Sequence, residues 1–391
     1  MNRKRLELWG PHDTADGRHI DPSLGHLSGE GSAIQVRQAE PDALSGAPKA
    51  AGLDVAAPHR DVVGSDRSTY YGMPALKEPV WRWYIPAYLY SGGLAGTSAW
   101  IGLVAQLTGD RRLRRTVTRC RGITTAGLVA SAAFLVADLG RPSRFYNMLR
   151  VFRPTSPMNL GTWILSAAGA TNGLAFVAGE WSPRRRMADG LSVVGGALGL
   201  PLAAYTSVLL ANTAVPVWQH GRRVLPALFL ASGLASAASL LELFPLTSRE
   251  RSQVRAWAIA GKAAAVGSEV LLMADLHRQP DVARPLHRGV SGSLFRAARN
   301  LTVASLVLSF IGRRRSARRI AGALGTVGAM ALRYALLQAG VASSRDPRAT
   351  FAPQRRANAE SEIGTAKQAQ PALNEPPTDM TPQPEGPVQL A

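Results

Sequence analysis

Val224 to Leu246 reads VLPALFLASGLASAASLLELFPL, 23 residues with one charged side chain, Glu242. A helix needs about 20 mostly apolar residues to cross roughly 30 Å of hydrocarbon, so this run is long enough to span a bilayer. Arg222 and Arg223 precede it, and Arg249, Arg251 and Arg255 come after it. Arginines in such places carry their charge to the headgroups while their stems stay in hydrocarbon.

The same criterion applied outward gives about eight spans: 85–107, 119–139, 160–180, 190–211, 224–246, 253–275, 293–312 and 320–341. The seventh is the least apolar at its start, where Arg296, Arg299 and Asn300 precede the run from Leu301 to Ile311; without it the count is seven. The mean hydropathy of the 391 residues is near zero only because the ends dilute the centre. Residues 1–78 hold 9 basic and 11 acidic side chains and residues 343–391 hold 5 and 6, whereas the centre holds 31 and 9. The expectation is an all-α polytopic protein of the cell membrane. A polar extension over residues 1–69 and a Pro-rich tail over 343–391, both too poor in apolar residues to order themselves, flank a transmembrane domain over 70–342. Met1 to Arg5 is basic, but no apolar run follows that would make a signal peptide.

Composition also narrows the chemistry. The single cysteine, Cys120, cannot supply the thiolates of an iron–sulfur cluster, and no apolar run carries a histidine in its interior, which disfavours bis-imidazole haem and a Cys/His zinc site. The net charge of +19 is carried by arginines that punctuate apolar runs, so it reads as membrane topology, not nucleic-acid binding. An even number of spans puts both termini on one side, A. Side B then carries 17 arginines against 13 basic residues on side A, or 15 with Arg296 and Arg299. That difference, set against a long head with no signal peptide, leaves the orientation open. Small residues four apart, Gly92 and Gly96 in the first span and Gly195 and Gly199 in the fourth, suit close helix packing in lipid.

Polar groups at membrane depth are costly and mark candidate sites. The richest set converges on side A, where Asp138, Asn212, Asp275 and Tyr334 end their spans and Tyr88 begins one. The connection from Asp138 to Gly161 is the most distinctive: Phe145, Met148, Leu149 and Phe152 recur at helical spacing, predicting a short interfacial helix, and Ser156-Pro157 reads as the cap and first position of the next span. In the second half, Glu242, Lys262, Glu269 and Asp275 suggest a proton path, although Lys262 and Glu269 are about 10 Å apart along one helix, too far to pair directly. Isolated structural contacts are the competing reading.

Several ordered blocks make a specific resemblance: Tyr70-Tyr71-Gly72, Lys77-Glu78-Pro79-Val80-Trp81, Ile85-Pro86-Ala87-Tyr88, Gly92 to Gly96, Asp138 to Phe145, Tyr205-Thr206, and Leu209 to Trp218. From about Thr69 to Gly340 the chain resembles the NrfD/PsrC family, the polysulfide reductase membrane subunits. The resemblance implies two four-helix bundles with no covalently bound cofactor and no catalysis by this chain alone. It implies electron exchange between a quinone pool, menaquinone being expected, and an iron–sulfur subunit serving a molybdopterin-type catalytic subunit in anaerobic respiration, as in polysulfide reductase or formate dehydrogenase-like complexes. It places the quinone pocket near the docking face, lined partly by Tyr205 and the start of the first span; by residue chemistry Tyr205 suits one ring oxygen and Tyr88 or Asn212 the other. Asp138 would then exchange protons at the mouth, and Arg141 would hold Asp138 ionised or anchor the loop. Arg144, Phe145, Arg150, Phe152 and Arg153 become candidates for docking the partner. The sequence departs from better-known members in having Ile85 and Tyr88 where Asn and His can stand. A secondary transporter and a membrane anchor without a quinone site are the alternatives.

Overall fold

The computed structural model describes residues 20–21, 26–27, 76, 79, 81–141, 143–179, 185–312, 314–351 and 353. Most of the head and of the tail, and the motif residues Tyr70 to Gly72, Lys77, Glu78 and Pro142, lie outside the described residues. The chain divides into two units, Met1–Val80 and Trp81–Ala391. In the first, Ile20–Asp21 pairs antiparallel with His26–Leu27.

The second unit is helical. Its long helices are α1 (Tyr84–Leu107), α2 (Arg114–Asp138), α4 (Pro157–Gly179), α5 (Arg185–Ala211), α7 (Leu225–Glu242), α8 (Ser248–His277), α10 (Gly289–Ile311) and α11 (Arg315–Arg345). Three short ones, α3 (Ser143–Arg150), α6 (Pro216–His220) and α9 (Pro280–His287), lie in the side-A connections. α1, α2, α4 and α5 pack as one four-helix bundle and α7, α8, α10 and α11 as a second, with α1 and α5 of the first against α7 and with α1 also touching α11.

Among the described residues, seven helices are long and apolar enough to cross a membrane. The one that falls short is α1, not the predicted seventh span. α1 has 24 residues and no charge, but 17 of them are buried, including Tyr88, Ser91, Thr97 and Ser98. Its surroundings are protein, so it tolerates polar groups that a lipid-facing helix would not. α10 shows the opposite arrangement. Its buried stripe is Ser291, Gly292, Phe295, Ala298, Thr302, Ser305 and Ser309, while Val303, Val307, Phe310 and Ile311 are exposed. Phe295 apart, small and hydroxyl residues lie inside and branched and aromatic residues outside, the pattern of a helix dissolved in lipid.

Close approach fixes the first bundle. A Cβ on Gly96 would lie 2.3 Å from the carbonyl oxygen of Gly199, and one on Gly199 would lie 2.2 Å from that of Gly96. At the far end the folded chain runs past the predicted limit of 342: α11 continues to Arg345, residues 347–351 are helical, and Ala349 is buried. Asp346 explains the extension, because its Oδ1 accepts from the Arg348 N–H at 3.0 Å and Pro347 is a favoured first helical residue.

Candidate functional site

The side-A end of the first bundle is built from the start of α1, the ends of α2 and α5, the start of α4, and α3. Its lead-in is clamped: Trp81 stacks on Trp218 of α6 with ring centroids 5.2 Å apart, and Trp218 donates from Nε1 to the Leu336 carbonyl of α11 at 2.9 Å. Behind this clamp Tyr88 and Tyr205, 3% and 8% exposed, belong to one apolar cluster with Ile85, Leu89, Leu135, Leu165 and Leu202. Neither phenol hydroxyl has a hydrogen-bond partner among the described residues. The Tyr205 ring lies on Gly161 of α4, where an added Cβ would come within 1.9 Å of it, so glycine is needed there.

The connection from Asp138 to Gly161 forms a braced platform. Gly140 turns the chain out of α2 at φ +68, a conformation that glycine adopts without penalty. Ser156 Oγ accepts from the Asn159 N–H at 3.4 Å as α4 begins at Pro157. Asn159 then ties the loop, donating to the carbonyls of Met148 at 2.6 Å and Val151 at 2.9 Å and accepting from the Arg153 N–H at 2.7 Å. Sequence reading did not single out Asn159, although it sits one turn into a capped helix. Phe145 packs against the core cluster and Arg144 donates to the Leu139 carbonyl at 3.3 Å. Arg150, Phe152 and Arg153 are exposed, and Phe152, two residues past the end of α3, meets Trp163 edge to face at 5.9 Å.

The other pocket candidates stand apart from the two tyrosines. Asp138 is half-buried at the end of α2, and the cation acting on it is Arg82; Arg141 is exposed. Asn212 is exposed at the end of α5, seven residues and about 10 Å of helix from Tyr205. No hydrogen bond links any two of Tyr88, Asp138, Arg141, Tyr205 and Asn212 among the described residues.

In the second bundle the structure joins Glu242 and Lys262. Lys262 Nζ donates to Glu242 Oε2 and to Ser309 Oγ, both at 2.7 Å, and Ser309 Oγ donates to Glu242 Oε1 at 2.9 Å. All three residues are buried. Ser309 was missed, though its place in the buried stripe of α10 signals it. Glu269 is 1% exposed with neither carboxylate oxygen bonded, and Arg299 is the cation acting on it. Asp275 is half-buried near the side-A end of α8, so four predicted path residues resolve into one bonded pair and two separate carboxylates.

The seam between the bundles holds a further buried charge. Arg333, 2% exposed, donates to Ser232 Oγ at 2.7 Å and to the Phe229 carbonyl at 3.0 Å, lies 3.9 Å over the Phe229 ring, and leaves Nε unbonded. Across the seam Tyr90 of α1 accepts from Ser236 of α7 at 3.0 Å. On side B, Glu250 of α8 accepts from Thr116 of α2 at 3.2 Å and faces Arg119 at 3.6 Å. There too Arg249 donates to Asp110 at 3.0 Å. The Arg112 backbone N–H and the Arg249 guanidinium hold the Asp110 carboxyl below its ordinary value.

Among the described residues no three His, Cys, Asp or Glu side chains converge to hold a metal. Residues 67–345 match the family model NrfD_2, described as polysulfide reductase. The chain belongs to the NrfD polysulfide reductase family. It is therefore a multi-pass membrane protein and a membrane subunit of polysulfide reductase-like complexes. A search of curated proteins returns no match. The NrfD match covers both bundles and ends at Arg345, the last residue of α11.

Proposed function

We propose that this NrfD-family chain is the quinone-reactive subunit of a respiratory oxidoreductase, with its quinone seat at the side-A end of the first bundle. One observation carries the reading: Tyr88 and Tyr205, both buried residues of the apolar core, have phenol hydroxyls that no described protein group satisfies. Phenol hydroxyls that reach accessible space from an otherwise apolar core suit a ligand whose polar atoms sit on an apolar body. A quinone supplies two ring oxygens and the capacity to exchange two electrons and two protons. Tyr205 and Tyr88 would orient those oxygens by donating hydrogen bonds, and the surrounding leucines would line an apolar slot. Asp138, half-buried and facing Arg82, holds a carboxylate where a proton can pass to bulk water. Asn212 and Arg141, both exposed, fit the rim better than the seat.

The α3 platform, braced by Asn159, presents Arg150, Phe152 and Arg153 outward beside the same seat, with Arg144 and Phe145 at its root. It is the surface proposed to dock an iron–sulfur subunit and, through it, a molybdopterin-type partner, with menaquinone as the quinone. The second bundle is proposed to move protons, with the Glu242–Lys262 pair and the separate Glu269 and Asp275 as exchange points. Each buried carboxylate there is a costly group that packing alone does not call for.

The test is quinol-dependent turnover of the natively purified complex carrying Tyr205→Phe. A loss of up to about tenfold with the complex intact supports the seat, that being what one hydrogen bond contributes. Unchanged turnover removes Tyr205 from it. Mass spectrometry of what copurifies tests the partner: a cysteine-rich iron–sulfur polypeptide supports the redox reading, and a chain that stays alone under mild detergent moves transport to the front.

A further inference from the structure

The side-B end of the second bundle carries a positive charge that nothing described there neutralises. Arg251, Arg315 and Arg319 all repel the buried Arg318, and only Glu242 attracts it. The Glu242 carboxylate is already bonded to Lys262 and Ser309. Arg251, Arg315 and Arg319 have no side-chain partner among the described residues. The acidic side chains Asp110 and Glu250 do not relieve them, being engaged with Arg249, and with Thr116 and Arg119.

Beside this cluster lies a shallow groove, wide open to its surroundings, along Ser248, Arg251, Ser252, Arg255, Ala256 and Ile259. These residues form one stripe of α8, at spacings of three and four. The stripe changes character along its length. Ser248, Arg251 and Ser252 are polar and exposed at the aqueous end, and Ala256 and Ile259 continue it toward hydrocarbon, about 16 Å further in. Between them Arg255 is held in place: its Nε donates to the Ser309 carbonyl at 3.0 Å and one Nη to the Phe310 carbonyl. Carbonyls orient a guanidinium without cancelling its charge, so Arg255 is preset to receive an anion. Arg251, four residues earlier, is its neighbour on the same face. Thr247 and Glu250 form a reciprocal capping box at the start of α8, so the Glu250 N–H is taken.

We propose that this groove binds the phosphodiester headgroup of an anionic phospholipid between Arg251 and Arg255, with an acyl chain lying along Ala256 and Ile259. The polar-to-apolar order of the stripe fits a headgroup above its tail, which free phosphate would not use. Interfacial cations attract anionic lipids by about 1 kcal/mol each, so the two arginines together correspond to about thirtyfold in affinity.

The experiment uses the full-length protein in mild detergent and reads melting temperature and bound-lipid stoichiometry by native mass spectrometry. Dioleoyl-phosphatidylglycerol, dioleoyl-phosphatidylcholine and inorganic phosphate are titrated separately. The expected result is saturable stabilisation by phosphatidylglycerol alone. Affinity should fall about thirtyfold in R251Q/R255Q and about fivefold in R251Q, which keeps the Arg255 contacts and decides the matter if the double variant does not fold. Arg223→Gln, an exposed side-A change, should leave it unaltered. Equal responses to the two lipids, full affinity in R251Q, or an equal fall in R223Q would overturn the site. Inorganic phosphate matching phosphatidylglycerol would overturn the lipid as its occupant.

Discussion

Replacing Lys262 by Met removes one half of a buried ion pair and leaves Glu242 facing Ser309 without its cation. The two charges are 2.7 Å apart and both side chains are 2% exposed or less. At an effective dielectric constant of about 20, that separation corresponds to about 6 kcal/mol of attraction, against which stands the cost of keeping each ion out of water. Breaking such a pair on one side typically costs about 3–5 kcal/mol, because the survivor is left buried and charged. Replacing both halves with neutral groups of similar volume costs less than the two single losses added together. The prediction is therefore a cycle: K262M destabilises by about 3–5 kcal/mol, E242Q by a similar amount, and K262M/E242Q by less than their sum, with a coupling of about 2–3 kcal/mol. The assay is reversible unfolding of the purified protein in mixed micelles, monitored by circular dichroism. If the two losses add, the residues do not interact as the 2.7 Å contact requires, and the proton path loses its only bonded pair.

Other changes test other parts of the account. Gly161→Val places carbon atoms where the Tyr205 ring lies, so the ring must leave; quinol turnover should fall with the helical content unchanged, as circular dichroism would show. Gly199→Leu should abolish the folded first bundle, read as loss of monodisperse protein in size-exclusion chromatography, because Gly96 cannot retreat from the added side chain. Asp110→Asn tests linkage. The carboxyl lies below its ordinary value of 3.8 in the folded protein, so its contribution is present above 3.8 and lost as pH falls through the depressed value. Wild type and D110N should differ in melting temperature at neutral pH and converge in acid; a constant difference would contradict the pair with Arg249.

The long helices were legible because length and charge-free composition are what a bilayer demands: the predicted 293–312 is α10, Gly289–Ile311, and 224–246 contains α7. The ends were less so. α11 runs to Arg345 and Asp346 caps a further helical turn, a local signal inside a stretch whose composition reads as tail. The short α6 and α9 went unpredicted, since five to eight residues at an interface carry too little periodicity to stand out. Individual polar candidates were visible one by one, but which of them meet depends on packing. Arg82 and not Arg141 faces Asp138, and Ser309 completes the Lys262 pair from 47 residues away. The Arg333 contact to Ser232 spans 101 residues and had no sequence signal beyond a charge in an apolar run.

The central claim is that quinone binds at the side-A end of the first bundle. Photo-crosslinking of the native complex with an azido-menaquinone, combined with peptide mapping, tests it most directly. The account predicts saturable labelling, displaced by unmodified menaquinone, in the peptides that hold Tyr88 or Tyr205. Saturable labelling confined to α7–α11, or none in α1 and α5, would contradict it.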